Sequence, residues 1–207
     1  MKTQNINLLT QNTKMKKTSK HFSVRLFNFN MPAYKGLNNE ILCPFADSCI
    51  DFCYAQKGFY RFSNTQKTLY AKYLETLKDS FIDKINEAII KNKVDFLRIH
   101  DSADFYNIKY LNKWLEIAKN NKSIYFYAYS KSIPFFKGKN QILPNFEVIY
   151  SFGGKKDHFI DINKHVHAKI FDNDEQIKQA NYQNCSDFDL YATSVYSDNN
   201  KKGLRIH

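Results

Sequence analysis

Short apolar segments alternate with amphipathic helical segments along most of this chain. Val94 to Ile99 and Ile124 to Tyr129 are compact apolar runs, rich in the β-branched and aromatic residues typical of strands. Between them, Ile108 to Ala118 carries apolar residues at the spacing of one helix face. Strands that alternate with helices predict a parallel sheet whose neighbouring strands are joined by crossover helices. No other feature constrains the fold as strongly.

About six strands follow from this pattern, too few for a closed eight-stranded barrel. We therefore predict an α/β fold with an open, partial (β/α)6 barrel of mainly parallel strands; a doubly wound sheet is the alternative. Apolar residues that recur every four positions predict one long helix between Thr65 and Lys93. The predicted strands cover residues 21–29, 94–99, 124–129, 146–152, 166–171 and 190–195.

Length and composition bound the organisation of the chain. Its 207 residues are the length of one domain. We predict a flexible basic arm over 1–20, which lacks hydrophobic periodicity, and a single α/β metal-cluster domain over 21–207. The net charge of +11 permits binding to nucleic acid, to acidic partners or to anionic metabolites without choosing among them. Since no apolar run approaches about 18 residues, we expect a soluble protein without a membrane partner.

A cluster of cysteines indicates a metal centre. Cys43, Cys49 and Cys53 lie close together, whereas Cys185 is far downstream. Neighbouring thiols would form strained disulfides, so a shared metal explains them better. Zinc favours ligands separated by two to four residues. Here five residues separate the first two cysteines and three separate the next two, which favours a [4Fe–4S] cluster, with zinc as the alternative.

The role of Cys185 decides whether such a cluster is open. If only three cysteines bind it, one iron is free to take a substrate or S-adenosylmethionine. If Cys185 is the fourth ligand, all iron corners are closed, and the cluster is structural or carries electrons. Both alternatives stay open at this point.

Polar residues follow the predicted strands at their carboxyl ends, where parallel α/β folds place their sites. A histidine beside carboxylates suits acid–base chemistry or hydrogen bonding to a ribose, although such residues also cap helices and turns. A lysine can hold an anionic group, and a pair of glycines lets a backbone approach a phosphate. The predicted catalytic residues are His100, Asp101, Asp104 and Lys131; the predicted cofactor-binding residues are Tyr54, Ser130, Gly153 and Gly154; the predicted metal ligands are Cys43, Cys49, Cys53 and Cys185.

Three motifs resemble the gene product 88 family of phage proteins and occur in that family's order. They are the block from Cys43 to Tyr60, the segment from Leu97 to Tyr106 and the segment from Phe126 to Ser132. The resemblance implies a phage origin, a location in the cytoplasm of the infected host cell and a shared cysteine site. It implies no particular reaction.

The cysteine loop after the first strand of a partial barrel is also similar to that of radical S-adenosylmethionine enzymes. Their usual cysteine spacing is three residues and then two, with an aromatic residue just before the last cysteine. In this sequence the spacing is five and then three, and Tyr54 comes just after Cys53. The resemblance implies S-adenosylmethionine as a cofactor and reductive radical chemistry on a small molecule or a nucleic acid.

Two functions of different classes follow. The first is a phage iron–sulfur protein whose [4Fe–4S] cluster serves reductive radical chemistry. The alternative is a non-enzymatic iron–sulfur or zinc protein, closed by four cysteines, that binds nucleic acid or transfers electrons. The sequence identifies no protein partner for either.

Overall fold

A curled, open sheet forms the centre of the computed structural model, which describes residues 6–206. The order of its strands is β1-β2-β3-β5-β6-β8-β7, and β4 pairs with β5 beside this path. The strands are β1 (Leu26–Phe29), β2 (Phe96–Ile99), β3 (Tyr125–Ser130), β4 (Gln141–Leu143), β5 (Phe146–Ser151), β6 (His167–Phe171), β7 (Gln183–Asn184) and β8 (Lys201–Arg205).

Neighbouring strands along this order are parallel, and among the strands of residues 6–206 only β4 and β5 pair antiparallel; isolated antiparallel bridges join Thr10 to Asn28, Lys35 to Ile41 and Ala46 to Gly154. The sheet is therefore a half-barrel of seven parallel strands. The prediction of an α/β fold with an open, partial parallel barrel is confirmed, with seven parallel strands in place of six.

Asparagine side chains begin several of the helices. Asn12, Asn107 and Asn173 each accept a hydrogen bond from the backbone N–H three residues further on, which satisfies one free donor of the first turn. No helix among the described residues has the length and apolarity that crossing a membrane requires. The helices are α1 (Thr13–Phe22), α2 (Ser63–Thr76), α3 (Phe81–Asn92), α4 (Ile108–Asn120) and α5 (Asp174–Gln179).

The two faces of the sheet bury separate apolar cores, because successive strand residues point to opposite faces. Phe126 of β3 packs in a core with side chains of α3 and α4, where Phe81 and Trp114 contact each other edge to face at 5.5 Å between ring centroids. Tyr127, the next residue, packs in a second core with Met15 of α1. Helix α1 thus covers the face of the half-barrel opposite to α3 and α4.

A buried carboxylate fixes α1 to this second face. The Asp189 side chain is fully buried, and its Oδ1 accepts from Lys14 Nζ at 2.7 Å and from Arg98 Nη1 at 2.9 Å. Tyr127 Oη donates to Oδ2 at 2.5 Å, and the Asp189 backbone N–H donates to Thr18 Oγ1 at 2.9 Å. Burial alone would raise the pKa of Asp189, but the charges of Arg98 and Lys14 outweigh it and hold the pKa well below its usual range.

The structure differs from the predicted flexible arm over residues 6–20. Leu9 and Met15 are fully buried there, and most of α1 lies in this segment. The apolar residues are too sparse to give a periodic signal, yet the open face of a half-barrel provides a place to bury them. Residues 1–5 lie outside the described residues.

The predicted strand over 190–195 is wrong. Asp189–Ala192 is a short 3-10 helix, closed where Thr193 Oγ1 donates to the carbonyl of Leu190 at 2.8 Å. Its apolar residues have the composition of a strand, but the 3-10 helix places Asp189 inward, where it pairs with Arg98. The last strand is β8, which the sequence did not predict because its residues are mostly polar. Its Lys202 is nevertheless 1% exposed and donates to the Ser197 carbonyl at 3.0 Å.

The predicted continuous helix over 65–93 is two helices, α2 and α3, and the first strand begins at Leu26 instead of His21. Lys113 Nζ of α4 donates to the carbonyls of Thr76 and Lys78 at 2.9 and 2.8 Å. These bonds satisfy carbonyls near the break between α2 and α3. The apolar residues keep their spacing of four across the break, which is why the spacing predicts one helix.

Replacing Asp189 tests the buried network. Asp189→Ala leaves the Arg98 charge buried without its partner, so we expect the free energy of unfolding to fall by about 3–5 kcal/mol in urea denaturation. Asp187→Ala is the control, because that carboxylate is half exposed and pairs with Lys17 and Arg205 at the surface. The control should change stability by less than about 1 kcal/mol. Equal losses in the two variants would contradict the assignment.

Candidate functional site

A cavity of about 180 Å³ lies at the carboxyl ends of the parallel strands. Its wall comes from the loop between β1 and α2, from the residues that follow β2 and β3, and from the ends of β5, β6 and β8. The predicted site residues in its wall are Cys43, Cys49, Cys53, Tyr54, His100, Asp101, Asp104, Ser130 and Lys131.

Backbone hydrogen bonds hold the cysteine loop across the strand ends. The N–H groups of Asp47 and Cys49 both donate to the carbonyl of Gly153, at 3.2 and 3.1 Å. The N–H of Asp104 donates to the carbonyl of Leu42 at 3.1 Å. The loop is therefore anchored just before Cys43 and again at Cys49.

Gly153 and Gly154 position this loop and do not present free donors to a cofactor. Their N–H groups donate to the two carboxylate oxygens of Asp157 at 2.8 and 2.9 Å. Gly153 has a φ of 96°, and a Cβ atom at Gly154 would lie 2.9 Å from the Phe45 carbonyl oxygen. The glycines are required for close approach of the loop, whereas the predicted contact with a phosphate has no available N–H group.

The three clustered cysteines are half-buried and line the same cavity. Burial raises the pKa of Cys43 and of Cys49. The Tyr34 N–H, which donates to Cys43 Sγ at 3.3 Å, opposes this effect at Cys43, and the Lys131 charge opposes it at Cys49. Donors and cations beside sulfur favour the thiolate, which is the form that binds metals.

The donor set fits an iron–sulfur cluster or another thiophilic metal, because three thiols share one cavity with an N–H donor and an ammonium beside them. Within residues 6–206, however, no three His, Cys, Asp or Glu side chains are already grouped so that they could hold a metal ion. The three thiols therefore share a cavity but are not arranged as a preformed metal site.

Cys185, the predicted fourth ligand, lies outside the cavity wall. It is fully buried in the core that contains Met15 and Tyr127, and its Sγ donates to the Gln183 carbonyl at 3.4 Å. Burial raises the pKa of Cys185 to about 12. The structure does not bring this thiol together with the other three.

Asp104 joins the ends of β2 and β3. Its Oδ1 accepts from Ser130 Oγ at 2.6 Å and from the Phe105 N–H at 2.7 Å, and its Oδ2 accepts from the Lys131 N–H at 2.8 Å. Lys131 Nζ donates to the neutral hydroxyl of Ser151 at 2.8 Å. Asp104 and Ser130 thus act as a structural clamp at the cavity, while the Lys131 ammonium remains a positive charge beside the cysteines.

His100 is held neutral in the cavity wall. Burial, and then the charge of Arg98, lower the pKa of His100 to about 3. Its Nε2 lies 2.9 Å from Tyr110 Oη, and its buried Nδ1 has no hydrogen-bond partner among residues 6–206. A neutral imidazole of this kind is suited to hydrogen bonding and is not a proton donor of ordinary strength at neutral pH.

Asp101 is buried beside His100. Its Oδ2 accepts from Asn12 Nδ2 at 3.3 Å, and its backbone carbonyl accepts from Tyr54 Oη. Burial raises the pKa of Asp101, whereas the charges of Arg98 and Lys72 oppose the rise. The predicted cofactor-binding Tyr54 is therefore tied to a predicted catalytic residue by a hydrogen bond.

Sequence reasoning missed Arg98 and Tyr129, which also line the cavity. The Arg98 guanidinium lies over the Tyr129 ring at 4.8 Å from its centroid. Both residues belong to strands, whereas most of the predicted site residues lie in the loops beyond the strand ends. An arginine inside the apolar run of β2 was the signal that could have found the first.

The fold and this loop define an α/β half-barrel protein with a cysteine loop over the carboxyl ends of its strands. The family model described as Gene product 88 matches residues 6–205, and the chain belongs to this family. Comparison with curated proteins and with solved structures finds no match.

The lowered pKa of His100 predicts loss of stability in acid. In the unfolded chain a histidine takes up a proton near pH 6.5, whereas His100 in the folded chain does so only near pH 3. The contribution of His100 to the free energy of unfolding is therefore fully present above pH 6.5. Below that pH it falls by about 1.4 kcal/mol per pH unit. His100→Asn, which tolerates the positive φ of 67° at this position, should make urea unfolding less dependent on pH. An unchanged slope between pH 6 and pH 4 would contradict the assignment.

Proposed function

We propose that the protein binds one [4Fe–4S] cluster through Cys43, Cys49 and Cys53, and that one iron of the cluster has no protein ligand. The observation that carries the proposal is that these cysteines line a single cavity at the strand ends. Thiolates are the usual ligands of such clusters, and the wide cysteine spacing suits different iron corners better than one zinc ion.

The position of Cys185 supports an open cluster. This thiol packs in the apolar core of the second face, outside the cavity wall, and donates to a backbone carbonyl. Closing a four-cysteine site would require it to leave that core. We therefore favour three ligands and a fourth iron that faces the cavity.

The other charged groups of the cavity suit a small molecule with an anionic part. The Lys131 ammonium donates to the neutral Ser151 hydroxyl, and the buried Nδ1 of the neutral His100 has no hydrogen-bond partner among residues 6–206. Lys131 would hold a carboxylate or phosphate, and His100 would accept or donate one hydrogen bond. When bound, the cluster supplies single electrons, so we propose reductive radical chemistry, with S-adenosylmethionine as the candidate cofactor.

Single cysteine substitutions test the proposal. After anaerobic purification, we expect Cys43→Ser to lose most of the iron and sulfide, with loss of the brown colour, because the variant lacks one of the three thiolates proposed to hold the cluster. Cys185→Ser is the matched control, since it removes a thiol from the same chain without touching the cavity. The control should keep the iron and sulfide content of the unaltered protein.

Three results would contradict the proposal. Equal loss of iron in both variants would place Cys185 in a closed site. Zinc without iron in the unaltered protein would replace the cluster by a zinc site. An iron content that is unchanged in Cys43→Ser would remove this cysteine from the metal centre.

A further inference from the structure

A second cavity, of about 220 Å³, lies beside the cysteine cavity, and Asp101 lines both. The wall of this second cavity includes Asn12 before α1, Asn28 and Asn30 at β1, and Phe59 and Tyr60 from the segment before α2. No cysteine contributes to it. Its chemistry is therefore independent of any metal centre.

Two buried polar atoms in this wall have no hydrogen-bond partner among the described residues. Asn28 is 1% exposed; its Oδ1 accepts from Thr10 Oγ1 at 3.1 Å, but its Nδ2 donates to nothing. Asp101 Oδ1 has no partner within hydrogen-bond distance among residues 6–206, although Oδ2 accepts from Asn12 and the Asn30 and Tyr60 side chains lie close to the carboxyl group. Buried polar groups are normally satisfied, so an unused donor and an unused acceptor in one cavity indicate a ligand that supplies both complements.

An exposed aromatic ring forms another part of the wall. Phe59 is 80% exposed although it lines the cavity, and its ring meets Phe62 edge to face at 5.4 Å between centroids. Exposed aromatic rings beside a polar cavity are suited to stacking on a planar ligand. Lys57 and Arg61 are exposed on the same segment and place positive charge near it.

We propose that this cavity binds a nucleobase. An exocyclic amino group of the base donates to Asp101 Oδ1, an acceptor on the base receives the Asn28 amide, and the ring stacks on Phe59. Asparagine and aspartate are side chains that read these edges of bases in other complexes. Lys57 and Arg61 are suited to the phosphate attached to such a base. The base belongs either to a free nucleotide or to a single strand.

Two single-stranded DNAs, one with bases and one abasic, distinguish recognition of a base from the general attraction of a basic protein for polyanions. Binding of a short, labelled single-stranded DNA of mixed sequence is measured by fluorescence anisotropy. An abasic strand of the same length and charge is the comparison. We expect the base-bearing strand to bind at least tenfold more tightly, since stacking on one aromatic ring alone contributes about 1–3 kcal/mol. Competition by adenosine and cytidine monophosphates identifies a free nucleotide as the source; competition by strands alone identifies a strand.

Two phenylalanines on one segment provide the test and its control. Phe59→Ala should remove most of the preference for the base-bearing strand, about tenfold, because it deletes the stacking wall. Phe62→Ala removes a second exposed ring of this segment, one that contacts Phe59 but does not line the cavity, and should lower the preference much less than Phe59→Ala does. Asn28→Asp keeps the size of the side chain and replaces the unpaired donor by an acceptor, so it should also weaken binding.

Equal affinity for the base-bearing and abasic strands would overturn the proposal, as would equal losses in Phe59→Ala and Phe62→Ala. Circular dichroism of Asn28→Asp checks that the variant is folded. The same measurements on Cys43→Ser, the variant expected to lack a cluster, separate base binding from the proposed metal centre. Base binding that persists in this variant supports the second site whether or not the protein holds a cluster.

Discussion

The buried Asp189 carboxylate, with the charges of Lys14 and Arg98 against it, is the interaction on which the architecture depends. A half-barrel leaves one face of its sheet open, and parallel strands are stable when both faces are covered. Here α1 and the 3-10 helix Asp189–Ala192 cover the second face, and Asp189 joins both to β2 through Arg98. Removing one partner would leave another charge buried and unpaired, which is why the network acts as a unit.

The same arginine connects this network to the cavity. Arg98 lines the cavity at the strand ends while its guanidinium pairs with Asp189 and lies over Tyr129. Above it, Asp104 and the Gly153 carbonyl hold the cysteine loop to the ends of β2, β3 and β5. The position of the three clustered thiols therefore follows from backbone hydrogen bonds between their loop and the sheet.

The sequence predicted what depends on local pattern. Alternation of apolar strands and amphipathic helices indicated the parallel half-barrel, and the polar residues after β2 and β3 are gathered at one cavity, together with the clustered cysteines. It did not predict what depends on tertiary context. Helix α1 has few apolar residues and gains its place from the open face that it covers, and β8 has a polar sequence although it lies between β6 and β7 and buries Lys202 and Gly203. The burial of Cys185 likewise depends on a core assembled from distant segments.

Mössbauer spectroscopy distinguishes the proposed cluster, held by three cysteines with one iron open to a ligand, from a cluster closed by four cysteines. The protein is purified without oxygen after growth on iron-57, and spectra are recorded before and after addition of S-adenosylmethionine. We expect the signature of a [4Fe–4S] cluster in which about a quarter of the iron signal shifts on addition, since one iron of four lacks a cysteine ligand. A cluster whose iron signal does not respond, or a protein that contains no iron, would contradict it.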